Sequence, residues 1–168
     1  ERTGHVVVRG ALTPDQVDAA RSTLEDAFAA EDDVAADRGW TTASYRVTYA
    51  LPAKDPRAVA LCTAPPLLAV ARAALGDDCV VAGSNGLAMH PGGEGQDLHR
   101  DHPVPIPGTT LYLHAVCALD PFTTASGATR VVPGSHRGSL ADRDPASMEV
   151  LALPVHLAPG DAVVYDAS

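Results

Sequence analysis

The chain has 168 residues, 46% of them apolar, and a formal charge of −9 at pH 7. That length makes one domain with a real core, and no run approaches the roughly 18 apolar residues of a membrane span or the pattern of a signal peptide. The acidic balance excludes nucleic acid and anionic membrane surfaces as partners, because both select basic patches. Cys62, Cys79 and Cys117 have no metal-type spacing and read as buried small hydrophobes in a reducing cytoplasm.

Residues 5–10, His-Val-Val-Val-Arg-Gly, predict a short strand. A helix follows: Thr13 caps it, Pro14 takes its first position, and Gln16 completes a capping box. Val17, Ala20, Leu24, Ala27 and Phe28 then recur at helical spacing as far as Ala30. The acidic run Glu31-Asp32-Asp33 reads as the solvated end of that helix. Residues 38–54 lack periodicity and hold Trp40, Tyr45, Arg46 and Tyr49. Asp55-Pro56 opens a helix to about Cys62, and Pro65-Pro66 opens another, which Gly76 closes after Leu75.

From Cys79 onward the pattern changes to short apolar runs near 79–90, 97–102, 109–119, 129–133, 148–156 and 161–166, punctuated by Gly, Pro and Asn. Such spacing predicts an antiparallel β sandwich or barrel. The fold class is therefore α+β, mainly β: a helix-rich part over 1–78 and a β core over 79–168.

The chemistry concentrates in Gln96-Asp97-Leu98-His99-Arg100-Asp101. In a strand, His99 and Asp101 point to one face while Arg100 points away. An imidazole beside a carboxylate, joined by a second histidine, makes the facial triad of non-haem Fe(II) oxygenases, which leaves open positions on the metal. The pair alone is weak: with 7 His and 16 Asp in 168 residues chance gives roughly 0.7 such pairs, and a His and an Asp flanking a strand end is the plainer reading.

The wider pattern resembles the phytanoyl-CoA dioxygenase-like family of Fe(II)- and 2-oxoglutarate-dependent oxygenases. The resemblance runs through Gly4 to Gly10 with Leu12 to Val17, Leu75-Gly76-Asp77 and Gln96 to Asp101. It continues through Gly127-Ala128-Thr129-Arg130-Val131-Val132-Pro133-Gly134-Ser135-His136-Arg137 and Pro159-Gly160-Asp161-Ala162-Val163-Val164-Tyr165-Asp166. It implies a single domain over 1–168 with a double-stranded β-helix (jelly-roll, cupin-like) core holding iron, its last strands missing at the C-terminus. His99 and Asp101 become metal ligands and catalytic residues, and the third histidine is expected just beyond Ser168, followed by an arginine for 2-oxoglutarate. Asp101 favours hydroxylation, since halogenating relatives carry a small residue there.

The same resemblance assigns Gln96 and Thr129 to 2-oxoglutarate, and Trp40, Tyr45 and Arg46 to the substrate. Each also has a plain alternative as a strand or core residue. His136 belongs to a turn, His156 to the preceding strand, and His114 to an alternating run where a polar contact is favoured over ligation. His90 and His102 read as strand-end residues, and His5 as surface-facing. Arg130 and Arg137 read as surface arginines, while Asn85 and Met89 are candidates to line a cavity. The expected activity is oxidation of a small-molecule C–H bond with Fe(II), 2-oxoglutarate and O2, giving succinate and CO2. Two other readings stay open: a non-catalytic jelly-roll binding domain, and a cupin-like metal enzyme that does not use 2-oxoglutarate. Substrate and oligomeric state are not legible.

Overall fold

The computed structural model describes residues 3–101, 109–137 and 144–167. His102 lies outside them. The chain forms two compact units that interleave in sequence: one from Glu1–Leu12, Pro65–Cys79 and Asp97–Ser168, the other from Thr13–Ala64 and Val80–Gln96. Mixed helices and antiparallel sheets make up the fold. Among the described residues no helix is long and apolar enough to cross a membrane.

The first unit is built on a three-stranded antiparallel sheet in the order β1 (His5–Val8), β7 (Ala162–Asp166), β4 (Leu113–Cys117). The central strand β7 has Ala162, Val163 and Val164 all buried, which is why its sequence is continuously apolar rather than alternating. A turn with Gly160 at φ +89 feeds it, a conformation that residues with a Cβ adopt at a cost. Asp161 fixes the turn: its Oδ1 accepts from Gly10 N at 2.9 Å, and its Oδ2 from Ala158 N at 3.0 Å and Arg9 Nη1 at 2.6 Å.

Register places the side chains in rows. Val7, Val163 and Val116 oppose one another across the sheet and join the core around Ala118, Val155 and Leu157, to which Phe122, Val131 and Tyr165 add. The next row, two residues along each strand, is His5, Tyr165 and His114. Period-two alternation carries this polar row on the same face as the core row. His5 is therefore half-buried rather than surface-facing; with Arg9, Val131, Val155 and His156 it lines a cavity of about 320 Å3. A second, two-stranded sheet pairs β5 (Arg130–Val131) with β6 (Leu153–Pro154), and a 3-10 helix, Pro145–Leu151, precedes β6. This unit also contains α5 (Pro65–Leu75), with Gly76 at φ +94 just beyond its end.

The second unit begins with α1 (Pro14–Ala30), whose capping box forms as expected between Thr13 and Gln16. After it come α2 (Asp32–Ala35), β2 (Tyr45–Thr48), α3 (Leu51–Lys54), α4 (Arg57–Cys62) and β3 (Gly86–Met89), with β2 and β3 antiparallel. Ala27, Leu51 and Ala58 form its core, with Leu24 packed against them. A Cβ at Gly86 would stand 1.9 Å from Leu24 Cδ2, so a larger residue there would displace the leucine. Arg57 ties α4 back to Asp26 of α1 at 2.7 Å.

Three expectations are corrected. Glu31 is not a solvated helix end: its carboxylate bonds Lys54 and its side chain is 13% exposed, because α3 brings a lysine over the end of α1. The cysteines are half-buried rather than buried, since Cys62 and Cys117 are the last residues of α4 and β4 and Cys79 lies in the loop beyond α5. Residues 148–156 are mainly a 3-10 turn, with a strand only at Leu153–Pro154. There Asp144 caps and Pro145 opens a helical turn that the apolar count alone did not reveal.

Candidate metal and cosubstrate site

The His-x-Asp pair lies outside any strand, contrary to the expectation of a strand over 97–102. No ladder aligns it, yet its side chains converge: His99 Nε2 stands 3.4 Å from Asp101 Oδ1. Two local contacts explain this. His99 Nδ1 lies 2.7 Å from the carbonyl oxygen of Asp97. A carbonyl only accepts, so Nδ1 carries a proton and Nε2 is the ring nitrogen turned towards Asp101. Asp101 is in turn held by the polar row of the sheet. The Tyr165 hydroxyl donates to Oδ2 at 2.8 Å, and His114 Nδ1 approaches the same oxygen at 3.2 Å.

The row that supplies these donors is itself well packed. His114 pairs with Tyr165 across β4 and β7, with ring centroids 5.8 Å apart, and the Tyr112 ring lies 5.1 Å from that of His114. Beyond it, Thr110 donates to Asp166 Oδ2 at 2.6 Å, and Ala167 N bonds the Tyr112 carbonyl. The Asp101 side chain is 22% exposed. The hydrogen bond from His114 and then that from Tyr165 hold its carboxyl down to about 2, against the opposing pull of burial. Burial, with the bond to Asp101, pushes the Tyr165 hydroxyl well above its ordinary value.

The other expected residues are distributed as follows. Thr129 is half-buried ahead of β5, and its carbonyl accepts from Val155 N at 2.8 Å. Gln96, Trp40, Tyr45 and Arg46 belong to the second unit. There Arg46 bonds the Phe28 carbonyl, pairs with Asp32 at 3.1 Å and lies over the Phe28 ring. Trp40 packs edge-on against Tyr49 at 5.7 Å beneath Arg38 and Lys54, and Tyr45 pairs with Met89. Asn85 accepts from Ala50 N at 3.2 Å, supporting a residue at φ 54. His90 follows β3 directly, His136 lies in the 133–136 turn, and His156 approaches Thr124. Arg130 pairs with Glu149.

His114 makes the polar contact expected of it. Tyr165 was missed, although its signal was present: a tyrosine on the inward face of an apolar strand needs a partner for its hydroxyl. Among the described residues no group of three or more His, Cys, Asp or Glu is placed to hold a metal ion, so the constellation here is a pair with its supports.

Two solved structures share this fold. The chain superposes on SnoK, a non-haem α-ketoglutarate-dependent carbocyclase from nogalamycin biosynthesis, with a TM-score of 0.75 and 22% identity, covering 99% of this chain and 71% of that one. HygX from Streptomyces hygroscopicus, solved with nickel and 2-oxoglutarate bound, matches with a TM-score of 0.68 and 19% identity over 99% and 74%. The chain belongs to the phytanoyl-CoA dioxygenase (PhyH) family, whose sequence model matches residues 1–168. Dioxygenase af480 of Aspergillus fumigatus is 30% identical across 97% of this chain and 55% of that protein. Dioxygenase aneA of Aspergillus aculeatus is 32% identical across 45% and 28%. The chain thus spans about half the length of the first of these relatives and less of the second.

Proposed function

We propose that this protein is an Fe(II)- and 2-oxoglutarate-dependent dioxygenase that hydroxylates, or otherwise oxidises, a C–H bond of a small molecule. In this reading residues 1–168 belong to one oxygenase domain with a double-stranded β-helix core. His99 and Asp101 hold the metal, and a further histidine completes the set.

The observation that carries this reading is the facing of His99 Nε2 and Asp101 Oδ1. Two donors about 2.1 Å from one metal at right angles stand about 3.0 Å apart, and these two stand at 3.4 Å. The Asp97 carbonyl accepts from Nδ1, which turns Nε2 towards the carboxylate. Donation of the other ring nitrogen to a carbonyl is also how metal-binding histidines are oriented. The donor set, one imidazole and one carboxylate, suits divalent iron.

Bound iron, with 2-oxoglutarate and O2, supplies the oxidation that releases succinate and CO2. The chain's own residues prepare for it. Asp101 stays ionised at any physiological pH, with its carboxyl near 2, so no proton competes for Oδ1. Gln96 and Thr129 are the proposed contacts to 2-oxoglutarate. Trp40, Tyr45 and Arg46 are the proposed substrate contacts, Arg46 and Trp40 being the weaker members because their partners already lie within their own unit.

The test is succinate formation by the intact protein with Fe(II), 2-oxoglutarate and O2. Metal-dependent succinate that disappears in His99→Ala supports the proposal. Absence of succinate with wild-type protein points to a binding domain, and O2 uptake without need for 2-oxoglutarate points to the cupin-like alternative.

A further inference from the structure

We infer that Tyr165 and His114 form a two-point latch on Asp101, presenting it to the metal through Oδ1 alone. The inference rests on the proposed role of His99 and Asp101 as ligands and assigns two positioning residues to that site. A carboxylate has about two acceptor directions on each oxygen. On Asp101 the Tyr165 hydroxyl donates to Oδ2 at 2.8 Å, and His114 Nδ1 stands 3.2 Å from the same oxygen. The uncommitted oxygen, Oδ1, is the one that faces His99. Two-oxygen binding to one metal would require Oδ2 to leave both donors, so the carboxylate is set up to bind through one oxygen.

The latch also answers a mechanical question. Residues 97–101 belong to no strand, so nothing in a ladder fixes how far Asp101 stands from the sheet. Its two holders sit directly opposite each other on β4 and β7, and Tyr165 packs against the same core as Val163. The sheet therefore positions the ligand loop through side chains, from its most buried strand. The rings of Tyr112 and Tyr165 both lie near that of His114, with centroids at 5.1 and 5.8 Å.

The experiment is Co(II) titration of the intact protein, read by affinity and by the visible absorption of the bound ion. Tyr165→Phe keeps the ring and removes only the hydroxyl, and a lost support of this kind weakens metal binding by about 10- to 100-fold. His114→Asn places an amide nitrogen on Cγ where Nδ1 stands and should retain near wild-type affinity, whereas His114→Val should show the loss and a changed absorption spectrum. Thermal midpoints report whether each variant folds. If His99→Ala leaves Co(II) binding intact, the ligand assignment itself fails. If His99→Ala abolishes binding while Tyr165→Phe and His114→Val both fold and bind like wild type, the ligands stand and the latch is wrong.

Discussion

Two aspartates meet the same strand in opposite conditions. Asp161 sits at the entrance to β7 and spends both oxygens on donors: Gly10 N on one, Ala158 N and Arg9 on the other. Asp101 meets β7 near its far end, at Tyr165, and has the Tyr165 hydroxyl and His114 Nδ1 both at a single oxygen. Both carboxyls are held below the ordinary range, Asp161 chiefly by the Gly10 amide and then Arg9, Asp101 chiefly by His114. A depressed pKa therefore does not separate them. Which oxygen is left over does: both Asp161 oxygens are held by donors, while Asp101, the proposed ligand, keeps Oδ1 turned towards His99 Nε2.

Exchanging the two roles by mutation gives the largest test of that contrast. Asp101→Ala should weaken Co(II) binding by more than about 100-fold, beyond the cost of losing a mere support, with the circular dichroism of the fold retained. Asp161→Ala should do the reverse. It strands two backbone amides and an arginine and should cost about 2–3 kcal/mol of stability in a denaturant titration, with metal affinity unchanged. Equal effects of both variants on metal binding would erase the distinction.

A smaller effect sharpens it. Because the folded pKa of Asp161 is lowered, its stabilisation is present above the unfolded value of about 3.9 and is lost as pH falls through the folded value. Denaturant titrations from pH 5 downward should show wild type losing stability faster than Asp161→Asn, which has no such proton to take up. Parallel acid limbs would remove Asp161 from the account. The smallest effect belongs to the second unit. Thr13→Ala removes the capping box of α1 and should lower stability by about 1 kcal/mol, with Co(II) affinity unaltered in the same titration used for Asp101→Ala.

The helices were legible because their punctuation is local. Thr13, Pro14 and Gln16 declare the start of α1 within four residues, and Pro65 with Gly76 brackets α5. Strand β7 was legible from Gly160-Asp161 and the apolar run behind it. The His-x-Asp pair was found, but its setting was misjudged. Alternation over five residues says which side chains share a face only if a strand exists, and a strand exists only if a partner lies alongside. Glu31 failed for a related reason: nothing near it in sequence announces that Lys54 will arrive. Tyr165 needed a register, His114 opposite Tyr165, that no single segment contains.

The sheet order carries a consequence for how the molecule comes into being. β7 is the middle strand, yet its neighbours β1 and β4 lie far upstream. Until β7 emerges from the ribosome, β1 has no edge to join, and Tyr165 is not there to hold Asp101. Such distant pairing is slow and leaves early strands waiting. The proposed ligand pair is thus translated long before the strand that gives it a shape, and its geometry waits for β7.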